Sequence, residues 1–135
     1  MECNLCASIS EGHSFICENE HAFCVIPSAP LKGGHVIILP KRHIADLNDF
    51  SPDESASFFR LLSCMGKAIK SAYGKDVIYF MNTGIHSTQE HIHFHIIPSD
   101  AGIRPLFAKY EGIPKRNPIS VEETMKIRDH IKRNL

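Results

Sequence analysis

Apolar positions change their rhythm several times along the chain, and each rhythm predicts an element. Residues 14–18 and 21–27 are short apolar runs separated by Asn19-Glu20, which predicts two strands joined by a tight turn. Residues 35–40, His-Val-Ile-Ile-Leu-Pro, predict a third strand, nearly continuous in apolar character and closed by Pro40. Ser51-Pro52-Asp53-Glu54 is a helix start: Ser51 can cap, Pro52 suits the first turn, and Glu54 completes a capping box. Phe58, Leu62, Met65 and Ile69 follow at helical spacing, and Gly74 ends the helix. Residues 76–82 and 91–98 predict two more strands joined by a Gly-containing loop. Residues 99–118, rich in Gly, Pro and basic side chains, predict a long irregular connection. Ser120 and Glu123 form a second capping box and open a C-terminal helix to about residue 133. The order ββ-β-α-ββ-α is that of an α+β fold, with about five antiparallel strands, one long helix and a C-terminal helix.

The last strand carries the candidate chemistry. His91, His93 and His95 alternate with Ile92, Phe94 and Ile96. Alternate side chains of a strand share a face, so the three imidazoles are expected in one row, with the apolar residues turned to the core. A lone strand histidine is usually an ordinary polar residue. Three in strict alternation, backed by an apolar face, outweigh that reading, even in a chain where histidine is 9 of 135 residues. Imidazole can act near neutral pH as nucleophile, acid, base or metal ligand.

Composition narrows the partners. A chain of 135 residues is expected to be one domain, 1–135, with its core in 3–98. Fifteen acidic and fifteen basic residues balance, which argues against a general nucleic-acid or membrane surface as partner. No charged-then-apolar N-terminal segment and no run of 18 apolar residues occurs, so the expected location is the cytoplasm, with the five cysteines as reduced thiols. Cys3-x-x-Cys6 is half a set of zinc ligands; alone it could equally be a redox pair or two buried thiols.

His91 to Ile97 also resembles the signature of the histidine triad superfamily, His-φ-His-φ-His-φ-φ with φ apolar, at all seven positions. A second block, FCVIPSAPLKGGHVIILP from Phe23 to Pro40, resembles the family's strand, Pro-containing turn, Gly-His and strand, and Lys41-Arg42-His43 continues it. The resemblance covers roughly residues 3 to 98 and implies the family's fold. It further implies that His93 is the nucleophile, taking the α-phosphate of a nucleotide as a nucleotidyl-histidine that water hydrolyses. By the same match His35 and His95 bind phosphate or orient the nucleophile. Thr88 and Asn82 fall where relatives place substrate-contacting groups. Ser28, Ser87 and Gln89 are further candidates for substrate contact, and Thr88 is the candidate beside the leaving group. Branches of the superfamily complete a CxxC pair with two histidines, which here are His43 and His91. The resemblance thus implies a structural zinc on Cys3, Cys6, His43 and His91, a small-molecule nucleotide substrate and a homodimer.

Two departures qualify the match. Pro27 stands where relatives carry Asp or Asn to accept ribose hydroxyls, which implies relaxed ribose recognition unless Ser28 substitutes. His86-Ser87 stands where many relatives have Gly-Gln, which changes the surroundings of the leaving group. Three functions compete on these residues: a hydrolase of adenosine phosphoramidates or dinucleoside polyphosphates, a non-catalytic nucleotide-binding or adaptor protein, and a protein whose three histidines are themselves a metal site.

Overall fold

The computed structural model describes residue 3 and residues 5–6, 14–27, 30–81, 90–102, 104–105 and 119–133. Two compact units divide at Gly102, residues 1–102 and 103–135. In the first unit, strands β1 (Phe15–Glu18), β2 (Ala22–Val25), β3 (Val36–Pro40), β4 (Val77–Phe80) and β5 (Phe94–Pro98) accompany one 22-residue helix, α1 (Pro52–Tyr73). The strands form one antiparallel sheet in the order β1-β2-β3-β5-β4. The second unit contains helix α2 (Val121–Arg133), opened by a Ser120 hydroxyl that accepts from the Glu123 amide.

Strands β2 and β3 are apolar throughout because both of their faces are covered. Ala22, Cys24, Val36, Ile38 and Ile96 pack with Phe58, Leu61, Leu62, Met65 and Ile69 of α1. On the opposite face Phe23, Val25, Ile37 and Leu39 form a second cluster, against which Leu5 packs. Burying each such side chain contributes about 1.5–3 kcal/mol, so the centre of the sheet is a rigid base for whatever it carries. The β1–β2 hairpin closes on Asn19, whose side-chain Oδ1 accepts from the amides of His21 and Ala22 while its Nδ2 donates to the Ser57 carbonyl of α1.

Helix α1 starts as its sequence predicts. The Glu54 amide donates to the Ser51 hydroxyl, and the Ser51 amide returns a bond to the Glu54 carboxylate. Arg42 grips the same carboxylate with two parallel bonds, at 3.0 and 2.8 Å, tying the chain after β3 to the helix start. This clasp, together with the Ser51 amide, holds the Glu54 carboxyl at about 2. Gly74, in the left-handed region at φ 61°, ends the helix.

The expected strand 91–98 is shorter: β5 begins at Phe94. The backbone before it bonds elsewhere, the Ile92 amide donating to the Ile44 carbonyl at 2.7 Å. His91 and His93 therefore precede β5; the rings of His93 and His95 stand side by side, while the His91 ring meets Cys3, Cys6 and His43. Strand β4 likewise ends at Phe80 rather than residue 82.

Candidate functional site

The histidines take part in two clusters. The first is built on β3 and β5. His35 immediately precedes β3, and His95 lies in β5 opposite Ile37 on one side and Phe80 on the other. This register brings His35 Nε2 to 2.8 Å from His95 Nδ1. His35 is 4% exposed, and its Nδ1 accepts from the Leu31 amide at 3.0 Å. Phe80 stacks on His95 with ring centres 4.5 Å apart and planes 11° apart. His93 stands edge-on to His95 at 4.8 Å.

His93 Nδ1 lies 3.0 Å from the His91 carbonyl oxygen. A carbonyl only accepts, so Nδ1 carries a proton, and in the neutral imidazole the lone pair is then on Nε2. The imidazole is thus held as a nucleophile needs it, with its basic nitrogen turned away from the backbone. Burial, with the neighbouring His93, lowers the pKa of His35. Burial, His93 and His35 together push His95 down to about 4. Both rings are accordingly neutral near pH 7.

The second cluster is built on the chain after β3, the N-terminal turn and residue 91. Cys3, Cys6, His43 and His91 each offer one ligand atom, and the four atoms lie within 4.8 Å of one another. Cys6 Sγ is 3.5 Å from His43 Nδ1 and 3.3 Å from His91 Nδ1, and Cys3 Sγ is 3.6 Å from His91 Nδ1. Tetrahedral zinc with bonds of about 2.0–2.3 Å has edges of about 3.3–3.8 Å, so this donor set fits that metal. The Cys6 amide donates to Cys3 Sγ, and burial together with Cys3 raises the Cys6 thiol. His91 is fully buried and its Nε2 donates to the Pro40 carbonyl at 2.8 Å, which leaves the Nδ1 lone pair facing the thiols. Among the described residues this is the one group of converging Cys, His and carboxylate donors, and it takes His91 away from any metal site shared by all three histidines.

Asn82, Thr88, Ser87, Gln89 and Ser28 lie outside the described residues. Sequence reasoning missed Phe80, the Leu31 amide and the carbonyls of Pro40 and His91. Phe80 was findable from strand register alone; the backbone groups have no letter of their own and belong to the turn and strand-exit geometry.

Residues 11–102 match the family model described as the HIT domain. The adenylylsulfatase HINT3 of Arabidopsis thaliana is 32% identical over 84 residues, 60% of this chain and 43% of that protein. The adenosine 5'-monophosphoramidase hnt1 of Schizosaccharomyces pombe is 29% identical over 85 residues, 62% of each chain. This chain thus spans less than two thirds of either relative. The crystal structure of a HIT family member from Bacillus subtilis superposes with a TM-score of 0.78 at 21% identity, over 100% of this chain and 98% of that one. Histidine pattern, sheet order and the match across most of the chain agree, and the protein belongs to the histidine triad (HIT) family.

Proposed function

We propose that the protein hydrolyses a nucleotide at its α-phosphate, with His93 as the nucleophile. The observation that carries this reading is the bond from His93 Nδ1 to the His91 carbonyl, which leaves the Nε2 lone pair free to attack. The likeness to a phosphoramidase and an adenylylsulfatase supports the same class of reaction. In the first step Nε2 bonds to phosphorus, and the bond from phosphorus to the leaving nitrogen or oxygen breaks as that atom takes up a proton. In the second step water attacks phosphorus, the Nε2–P bond breaks, and the nucleoside monophosphate departs with His93 restored. His95, beside His93, offers hydrogen bonding to phosphate oxygens. Thr88 is proposed beside the leaving group, and Asn82, Ser28, Ser87 and Gln89 as substrate contacts.

Adenosine phosphoramidates and dinucleoside polyphosphates are the proposed substrates. We further propose a zinc held by Cys3, Cys6, His43 and His91, a homodimer, and a cytoplasmic location. Four protein ligands would close the metal's coordination, so its contribution is to link the N-terminal turn to residue 91. Hydrolysis measured over a panel of both substrate classes tests the reading, with His93→Ala as the control. The expected loss is on the order of 10⁶-fold, as for removal of a nucleophile in well-studied hydrolases. A wild-type protein that binds these nucleotides without turning any over would favour the adaptor reading instead.

A further inference from the structure

The thiol–imidazole cluster is open on one side. His91 is fully buried, Cys3 and Cys6 are half-buried, and His43 is exposed. Both sulfurs are thus nearer to solvent than the imidazole of His91. The Cys6 amide donates to Cys3 Sγ, which keeps the two residues within one turn of backbone. All four ligand atoms of the cluster lie within 4.8 Å of one another. Side-chain rotation alone can therefore bring the two sulfurs towards the bond length of a disulfide, about 2.05 Å.

The other three cysteines are placed differently. Cys17 and Cys24 are register partners across β1 and β2. Cys24 is fully buried, Cys17 Sγ donates to Met65 Sδ at 3.4 Å, and burial pushes both thiols up. Thiols so placed are inert towards oxidants. Cys64 is exposed on α1, outside both pairs. Cys3 and Cys6 alone combine a facing sulfur with access from solvent, the arrangement of a thiol and its resolving partner.

We propose that Cys3 and Cys6 are a site of reversible oxidation, at which hydrogen peroxide joins them as a disulfide and so dismantles the metal-binding donor set. The inference rests on the zinc proposed above and not on the hydrolytic reading. One Sγ attacks a peroxide oxygen, the O–O bond breaks and hydroxide leaves, giving a sulfenic acid. The second Sγ attacks that sulfur, the S–O bond breaks, and another hydroxide leaves as the S–S bond forms. The two sulfurs lose two electrons, the peroxide gains them, and two protons convert the hydroxides to water. The thiolate is the metal-binding form of cysteine. His43 and His91 are then the only donors left, too few for a metal that takes four. The bond from His91 Nε2 to the Pro40 carbonyl does not involve the thiols. The His91 ring therefore keeps its place, and a thiol reductant restores the complete set.

Full-length Cys64→Ser protein, reduced, loaded with zinc and then treated with hydrogen peroxide, tests this. A chromogenic chelator reads the zinc released, and intact mass reads the oxidation. Cleavage after Glu11, Glu18 and Glu20 separates the peptide of Cys3 and Cys6 from those of Cys17 and Cys24. The expected result is loss of the bound zinc together with loss of two hydrogens from the Cys3–Cys6 peptide. Dithiothreitol with added zinc should reverse both. Zinc that stays bound under excess peroxide overturns the proposal. So does zinc released without the Cys3–Cys6 link, whether the sulfurs have gone to sulfinic acid or the link involves Cys17 or Cys24. A reduced protein that takes up no zinc overturns this inference and the metal reading together, whereas retained zinc overturns this inference alone.

Discussion

The thiol–imidazole cluster and the His35–His93–His95 cluster draw on the same five residues, 91–95, and use them in opposite ways. In the first, His91 donates through Nε2 to the Pro40 carbonyl and turns Nδ1 to Cys3 and Cys6. In the second, His93 donates through Nδ1 to the His91 carbonyl and leaves Nε2 free. Identical side chains two residues apart thus expose different nitrogens, and in each case a carbonyl makes the choice. Metal binding and nucleophilic attack both need a lone pair; what separates them is the company in which that lone pair is placed.

Removing each cluster in turn should separate the two. His93→Ala is expected to give the largest effect, a loss in turnover on the order of 10⁶-fold, with zinc content and thermal midpoint close to wild type. Metal analysis beside the rate assay checks it, and retention of more than about a tenth of wild-type turnover would take the nucleophile's role from His93. Cys3→Ser is the mirror image. Its zinc-to-protein ratio should fall from one towards zero, with a stability loss on the order of a few kcal/mol in denaturant titration. Turnover should decline far less than in His93→Ala, because the His91 carbonyl remains; an equal decline would merge the clusters into one functional unit.

Gly34→Ala probes the second cluster without touching an imidazole. The added methyl meets Pro98 and Tyr73, and the residue must hold φ 89°. The expected cost is roughly 1–3 kcal/mol, with reduced turnover and an unchanged zinc ratio. Equal loss of zinc and turnover would contradict a disturbance confined to His35 and His95.

The smallest effect is in pH dependence. His95 is faced by His35, His93 and Phe80 and is held near about 4, whereas an unperturbed imidazole titrates at about 6.5. Between those values the unfolded chain binds more protons than the folded one, so stability falls as pH drops from about 6.5 to about 4. His35 contributes in the same direction. Urea midpoints at the two ends of that window, measured in the Cys3→Ser background, isolate the contribution from metal loss. His95→Gln should flatten the profile, and a variant as pH-sensitive as its parent would assign the effect elsewhere.

Much of the molecule is legible before folding because local chemistry and tertiary demand agree. Ser51, Pro52, Glu54 and Gly74 bound α1 where their chemistry predicts, and Phe58, Leu62, Met65 and Ile69 face the core. Cys3, Cys6, His43 and His91 converge as the CxxC resemblance implies. The alternation of His91 to Ile97 places His93 and His95 side by side, but it does not mark the start of β5 at Phe94, which follows the bond of the Ile92 amide to Ile44. Tautomer choice was illegible for a different reason: it depends on the Leu31 amide and the Pro40 and His91 carbonyls, groups that every sequence has and no pattern marks.

Residue 91 serves the first cluster with its ring and the second with its carbonyl, and these two contributions have different heritability. Any amino acid at that position brings the carbonyl, whereas only histidine among the common residues brings the buried Nδ1 that faces Cys3 and Cys6. A lineage could therefore lose or acquire a metal-binding donor set through side-chain changes at positions 3, 6 and 43 while the tether on His93 passes on untouched. Across relatives, the two cysteines and His43 should therefore be kept or lost together, whether or not His93 is kept.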